Sequence, residues 1–225
     1  DKDGLGLLGI SRTMLARRIS HWLGVTGPSY TLDSACSVSM YAMENAYRAI
    51  QNGLCDAAIV AGANLCLRPE LSMNFGFLGV SSPDGTSKPF DNNANGYVRG
   101  EAISAVFLQK AQDAKRIYAH FVYAKTNCDG FKPQGIAFPS REMQSVLLKE
   151  FYKECDIPPS SLSYMEAHGT GTRVGDPEEL NAIVKSLCPG RKDSLKIGSI
   201  KSNIGHSEAA GGMAQIAKIV IAYEA

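Results

Sequence analysis

The stretch SYTLDSACSVSMYAMENAYRAIQ, residues 29–51, decides the fold class, because it changes period part-way along. Ser29 to Leu32 has the short β-prone character of a strand, and Ser37 to Gln51 repeats apolar and small residues at helical spacing. The helix presents Ala42, Ala46 and Ala49 on one face and meets a stop signal at Gly53, which suits a segment packed closely against other elements. Between the two elements lies Cys36, in Asp33-Ser34-Ala35-Cys36-Ser37-Val38-Ser39. A strand running into a helix through a polar turn is the repeating unit of layered α/β proteins.

The same alternation continues outward. Ser11 to Trp22 reads as a helix with Ser11 as its N-cap and Gly24 just past its end. Ala57 to Leu65 is a nearly unbroken apolar run, expected as a strand covered on both faces. Further strands are expected at Ala102 to Leu108, Ile117 to Lys125, Ser163 to Ala167 and Leu195 to Ile200. Helices are expected over Ser140 to Cys155, from near Asp176 with Pro177 in the first turn, and over Glu208 to Glu224. The expected fold class is therefore α/β, with reactive residues just past strand ends. No low-complexity linker divides residues 1–225, which are read as one domain. The sequence starts at Asp1 without methionine and stops at Ala225 within a helical pattern, so a partial domain truncated at both ends is expected.

Composition narrows the function. With 44% hydrophobic and 20% charged residues and a net charge of +1, the chain has the balance of a folded domain with no general attraction to nucleic acid or anionic membranes. Its longest apolar runs fall short of the ~20 residues of a membrane span. There is no secretory leader pattern and no N-glycosylation sequon, and the six cysteines, at 36, 55, 66, 128, 155 and 188, show no CxxC pair. Free thiols and a cytoplasmic location are expected.

Three residues stand apart as chemistry. A thiol at a helix N-terminus, as at Cys36, feels the positive end of the helix dipole, which favours the thiolate, although a small cysteine is more often plain core. His168 lies in Glu166-Ala167-His168-Gly169-Thr170-Gly171-Thr172, where glycines permit close approach of the backbone to a ligand. His206 lies in Lys201-Ser202-Asn203-Ile204-Gly205-His206-Ser207-Glu208, again between a strand and a helix. Either histidine alone reads as a hydrogen-bonded loop residue; two such loops with Cys36 read as a site. His21 and His120 sit among apolar neighbours in expected regular elements and take structural roles. Zinc is disfavoured because no short motif supplies two ligands, and Gly169 with Gly171 lacks the third glycine of a dinucleotide fingerprint. Neither a metal nor a bound cofactor is expected.

Taken in order and separation, the segments around Cys36, His168 and His206 resemble the Cys-His-His centre of β-ketoacyl synthases. The resemblance runs from about Ser11 to the end and includes Asn95-Gly96-Tyr97-Val98-Arg99-Gly100-Glu101 and Gly175-Asp176-Pro177-Glu178-Glu179. It is strongest to the ketosynthase of animal-type multidomain fatty acid synthases, with iterative polyketide synthases next. It implies a thiolase-like layered α/β fold and a homodimer. It implies that Cys36 takes an acyl group from the phosphopantetheine of an acyl carrier protein, while His168 and His206 serve decarboxylation of malonyl on the same carrier. Lys201 resembles the family's active-site lysine and Glu179 the glutamate that holds it, read as an internal ion pair orienting the histidines, with a proton-transfer couple as the alternative. Thr170 and Thr172 resemble threonines that contact the pantetheine arm. One oxyanion donor would be the Cys36 backbone N–H, the other lying in a loop past Ala225. Any NADPH would belong to reductase domains elsewhere.

Other classes compete. A cysteine hydrolase would pair one histidine with the cysteine and leave the second loop without a task. A thiolase would use a second cysteine as base, and a non-catalytic carrier-docking module would be expected to lose Cys36.

Overall fold

The computed structural model describes residues 4–224. Its helices are α1 (Leu5–Ile10), α2 (Met14–Leu23), α3 (Val38–Gln51), α4 (Pro69–Phe77), α5 (Arg141–Glu154), α6 (Gly175–Leu187), α7 (Lys201–Ile204) and α8 (Gly211–Glu224). The strands are β1 (Ala57–Asn64), β2 (Ala102–Gln109), β3 (Tyr164–Glu166) and β4 (Lys196–Gly198).

Two small sheets carry the layers. β1 and β2 run antiparallel, with Ile59 opposite Phe107 and Val60 opposite Val106. β3 and β4 run parallel, and Ala167 N–H donates to the Gly198 carbonyl just beyond β3. Met43 of α3, Val60 of β1 and Met213 of α8 form one buried cluster, so early and late parts of the sequence share a core. Ala167, Ile183 and Leu187 form a second cluster, against which Leu148 of α5 and Phe90 pack.

Small residues set the spacing where these layers meet the site. A Cβ on Gly62 would lie 2.9 Å from the Ala209 carbonyl oxygen, and one on Gly212 would lie 2.6 Å from the Met40 methyl group. Gly212 N–H also donates to Ser39 Oγ, pinning the start of α8 to the start of α3. These approaches bring Cys36 and His206 together.

Several expectations need correction. Ser29 to Leu32 and Ile117 to Lys125 form no ladder, because no neighbouring strand among the described residues meets their backbone groups. In the second of these, Phe121 packs edge-on to Tyr47 of α3, so its apolar pattern reflects side-chain burial. β1 and β2 are covered by α3 and α8 on one face only, and Ile59, Ile103 and Phe107 lie at the surface on the other. Ser11 does not cap α2: its hydroxyl bonds to Thr13, and Gly24, at φ +67°, closes the helix as expected. His120 lies outside regular structure, and both it and His21 are exposed. Ser140, by contrast, caps α5 by accepting from Met143 N–H. α1 and α4 were not anticipated. No helix is long and apolar enough to cross a membrane among the described residues.

Candidate active site

Cys36 sits in a tight turn, Ala35–Ser37, that leads directly into α3. Ala35 holds φ +54°, a left-handed conformation unusual for a residue with a side chain. The half-buried thiol of Cys36 lies 3.0 Å from His206 Nε2. Its pKa is raised above the ordinary thiol value, first by burial and then by nearby Glu208, against the opposing pull of Lys201 and of its own backbone amide. Burial therefore works against the thiolate that the start of α3 was expected to favour.

His206 is 1% exposed and follows Gly205, whose φ is +73°. A Cβ on Gly205 would stand 2.8 Å from the Val98 carbonyl oxygen, so only glycine permits the pairing that comes next. His206 N–H donates to the Val98 carbonyl at 2.6 Å, and Gly100 N–H donates to the His206 carbonyl at 2.9 Å. The ring is fixed by Glu208 N–H, which donates to Nδ1 at 3.2 Å, and by the edge-on ring of Tyr97 at 5.0 Å. An Nδ1 that accepts places the neutral ring's proton on Nε2, a tautomer inferred from this network. Burial, with Lys201 and Arg99 adding to it, pushes the imidazole pKa down to about 3, so the ring stays neutral near pH 7. His206 therefore presents an N–H to Cys36 Sγ.

His168 is held by its backbone. Its N–H donates to Glu179 Oε1 at 2.7 Å and that of Gly169 to Glu179 Oε2 at 2.8 Å. Its carbonyl accepts from Lys201 Nζ at 2.7 Å and from Ser199 Oγ at 3.2 Å. The ring meets the His206 ring edge-on, centroids 5.3 Å apart. Burial by the dense surrounding protein, then Lys201 and His206, pushes its pKa down to about 3, although the residue keeps an exposed edge.

Lys201, 2% exposed, and Glu179 do not form the expected ion pair; they grip the 168–169 peptide unit from opposite ends, Lys201 on the His168 carbonyl and Glu179 on the Gly169 N–H. Burial lowers the lysine pKa, which Glu179 opposes, and burial raises that of Glu179, which the two amides oppose. Thr170 and Thr172 hydroxyls lie 3.1 Å apart, and Thr172 Oγ1 also accepts from Gly175 N–H at the start of α6. Thr172 additionally borders a groove with Phe90, Arg173 and Leu180. The structure thus links Cys36, His168, His206, Lys201 and Glu179 through direct contacts, with the threonine pair in the His168 loop.

Sequence reasoning assigned no role to two further devices. Buried Asp176 accepts from Phe90 N–H and Gly171 N–H, tying the loop before Gly100 to the His168 loop. Gly171, at φ +80°, packs where a Cβ would be 2.8 Å from Lys88 N. Arg99 Nε donates to Glu208 Oε1 at 2.7 Å. Both aspartate and arginine stood in quoted motifs, but nothing in a linear motif says which distant backbone group a side chain reaches. The described residues contain no cluster of metal-ligating side chains.

The family description "Beta-ketoacyl synthase, N-terminal domain" matches residues 1–114, and "Beta-ketoacyl synthase, C-terminal domain" matches residues 118–225. The chain belongs to the β-ketoacyl synthase family. It is 49% identical to a fatty acid synthase of Anser anser anser over 221 residues, covering 98% of this chain and 63% of that protein. It is 44% identical to the highly reducing polyketide synthase gloL of Glarea lozoyensis, covering 93% of this chain and 8% of that protein. Among solved structures, the ketosynthase from module 6 of the bacillaene synthase from Bacillus subtilis superposes with a TM-score of 0.91 at 39% identity, covering 98% of this chain and 41% of that one. An oxazolomycin ketosynthase domain of Streptomyces albus gives 0.90 at 34% identity, covering 94% and 39%. The chain thus spans less than two thirds of the length of these relatives. The thiolase-like α/β fold and the likeness to the fatty acid synthase ketosynthase, both expected from sequence, are borne out.

Proposed function

We propose that these residues form the catalytic part of a β-ketoacyl synthase of a fatty acid synthase, carrying out decarboxylative Claisen condensation. The supporting observation is the Cys36 Sγ to His206 Nε2 contact, with Nδ1 engaged by an amide and a second imidazole 5.3 Å away. Cys36 attacks the acyl thioester of a phosphopantetheine arm; the Sγ–acyl bond forms and the carrier thiol leaves with the proton that Cys36 gives up. A buried thiol with a raised pKa reacts through a transient thiolate, which the start of α3 stabilises. Malonyl on a carrier then loses carbon dioxide, and the electron pair of the broken bond moves toward the thioester oxygen. Nε2–H of His206, together with the His168 ring, stabilises that oxygen. The enolate carbon attacks the Cys36 thioester, a carbon–carbon bond forms, and Cys36 leaves as thiolate.

A cysteine hydrolase would need the histidine nitrogen facing the thiol to accept a proton. Here the Glu208 amide on Nδ1 assigns the proton to that nitrogen. A thiolase would need a second cysteine, and among the described residues no cysteine other than Cys36 hydrogen-bonds to either histidine. Polyketide ketosynthase chemistry is the second reading, favoured by the 44% identity to the Glarea lozoyensis protein.

Lys201 and Glu179 serve by fixing the His168 peptide, and Thr170 and Thr172 by shaping the loop a pantetheine arm would pass. The shared core of Met43, Val60 and Met213 supports treating residues 1–225 as a single, partial domain. A homodimer, an acyl carrier partner and a cytoplasmic setting accompany this reading, with no bound cofactor; NADPH would be used by other domains. The test is product formation from acyl- and malonyl-carrier in the full natural polypeptide, read by mass spectrometry. The 3-ketoacyl product should appear and vanish in Cys36→Ala; a free fatty acid as the Cys36-dependent product would overturn the proposal.

A further inference from the structure

Glu208 occupies a position that its residue type resists. Its φ is +41°, and its carboxylate is in an ion pair with Arg99, whose side chain is 7% exposed. The peptide unit entering Glu208 carries the N–H that donates to His206 Nδ1. Its direction is set by ψ of Ser207 and φ of Glu208, so the left-handed value is part of what aims the N–H at the ring. A side chain in this region persists only where neighbours hold it there.

Arg99 is built to do so. Besides Glu208, its guanidinium donates to Ser72 Oγ at 3.0 Å and lies 5.2 Å from the centre of the Phe75 ring, both on α4. Its own backbone lies beside His206, between Val98, which accepts from His206 N–H, and Gly100, which donates to the His206 carbonyl. Phe75 packs edge-on to Tyr97, and Tyr97 packs edge-on to the His206 ring. The arginine therefore ties α4, the Glu208 turn and the His206 backbone into one unit, without touching Cys36 or either imidazole itself.

We propose that Arg99 and Glu208 are a positioning pair for His206: the ion pair holds the left-handed Glu208 backbone, whose N–H keeps the imidazole proton on the nitrogen that faces Cys36. This rests on the reading of His206 as a donor to the enolate oxygen and adds the device that maintains the donor. Without the pair, the turn relaxes toward ordinary φ, the amide swings away from Nδ1, and the ring is free to present an acceptor or to rotate.

The test is malonyl-carrier decarboxylation by the full natural polypeptide, resolved into kcat and KM. Arg99→Met should lower kcat by roughly 10- to 100-fold with KM changed by less than about threefold, since a misaimed donor acts in the transition state. The double variant Arg99→Met with Glu208→Gly should recover most of that loss, because glycine adopts positive φ unaided and no unpaired charge remains. A role in stability alone would lower the melting temperature and leave kcat of the folded Arg99→Met enzyme unchanged. His206→Ala is run beside them. If it decarboxylates normally, the reading of His206 fails; if it is inactive while Arg99→Met keeps wild-type kcat, or the double variant is no better than Arg99→Met, the positioning pair fails. Should Arg99→Met not fold, the double variant alone decides: kcat near that of His206→Ala overturns the proposal, and kcat within about tenfold of wild type supports it.

Discussion

The two histidine loops look alike in sequence, each a glycine-flanked histidine between a strand and a helix, yet they are held by different physics. His168 is fixed by side chains that grip its backbone, with Glu179 on two amides and Lys201 on the carbonyl. His206 is fixed by backbone pairing to Val98 and Gly100 and by one amide on its ring. The first depends on buried charge and remains open to solvent; the second depends on a close approach that only glycine allows, and is closed. A similar motif therefore does not mean a similar vulnerability, and substitutions should separate the loops.

The largest effect is expected from Lys201→Met, which removes the buried ammonium that donates to the His168 carbonyl. A loss of about 3 kcal/mol in urea unfolding is expected. His206 tautomer signals in nitrogen NMR should be little changed, since none of their partners is removed. Next, Gly205→Ala should cost about 2 kcal/mol through positive φ and the contact with Val98, and should disturb His206 while leaving the His168 loop in place. Equal disturbance of both loops by either substitution would dissolve the distinction.

Acid should act on both loops, and His206 is the cleaner probe because it is closed to solvent. His206 has its pKa lowered from 6.5 to about 3, so between those values the unfolded chain binds a proton that the folded chain refuses. Stability is then full above pH 6.5 and falls as pH falls, by up to about 1.4 kcal/mol per unit for this group. Denaturation near neutrality and at about pH 5 should show a shallower slope in His206→Gln. The smallest effect belongs to Arg141, whose exposed ion pair with Glu178 lies on the α5 and α6 surface. Arg141→Ala should change stability by less than about 0.5 kcal/mol.

What could be read in the sequence follows the same division. The α3, α5, α6 and α8 helices announce themselves by period and by caps such as Ser140, and Cys36, His168 and His206 by motif. Strand character was legible, but strand partners were not: Ile117 to Lys125 has the right residues and no ladder, since a strand exists only with a neighbour. Lys201 and Glu179 were assigned to one site by resemblance, and their meeting through the His168 peptide could not be seen because it depends on backbone direction. The raised thiol pKa of Cys36 was hidden likewise, because burial arises from Gly62, Gly212 and their neighbours coming together from distant parts of the chain. Arg99 and Glu208, 109 positions apart, left no local signal beyond their motifs.

The central claim is that Cys36 and the two histidines serve separate steps, and one paired measurement on the full natural polypeptide addresses it. Carbon dioxide release from labelled malonyl-carrier is followed beside mass detection of the acyl-enzyme, for Cys36→Ala, His168→Ala and His206→Ala. Cys36→Ala should lose acylation and keep decarboxylation, whereas each histidine variant should still be acylated and lose decarboxylation by on the order of 100-fold or more. Histidine variants that decarboxylate malonyl normally but cannot be acylated would contradict it.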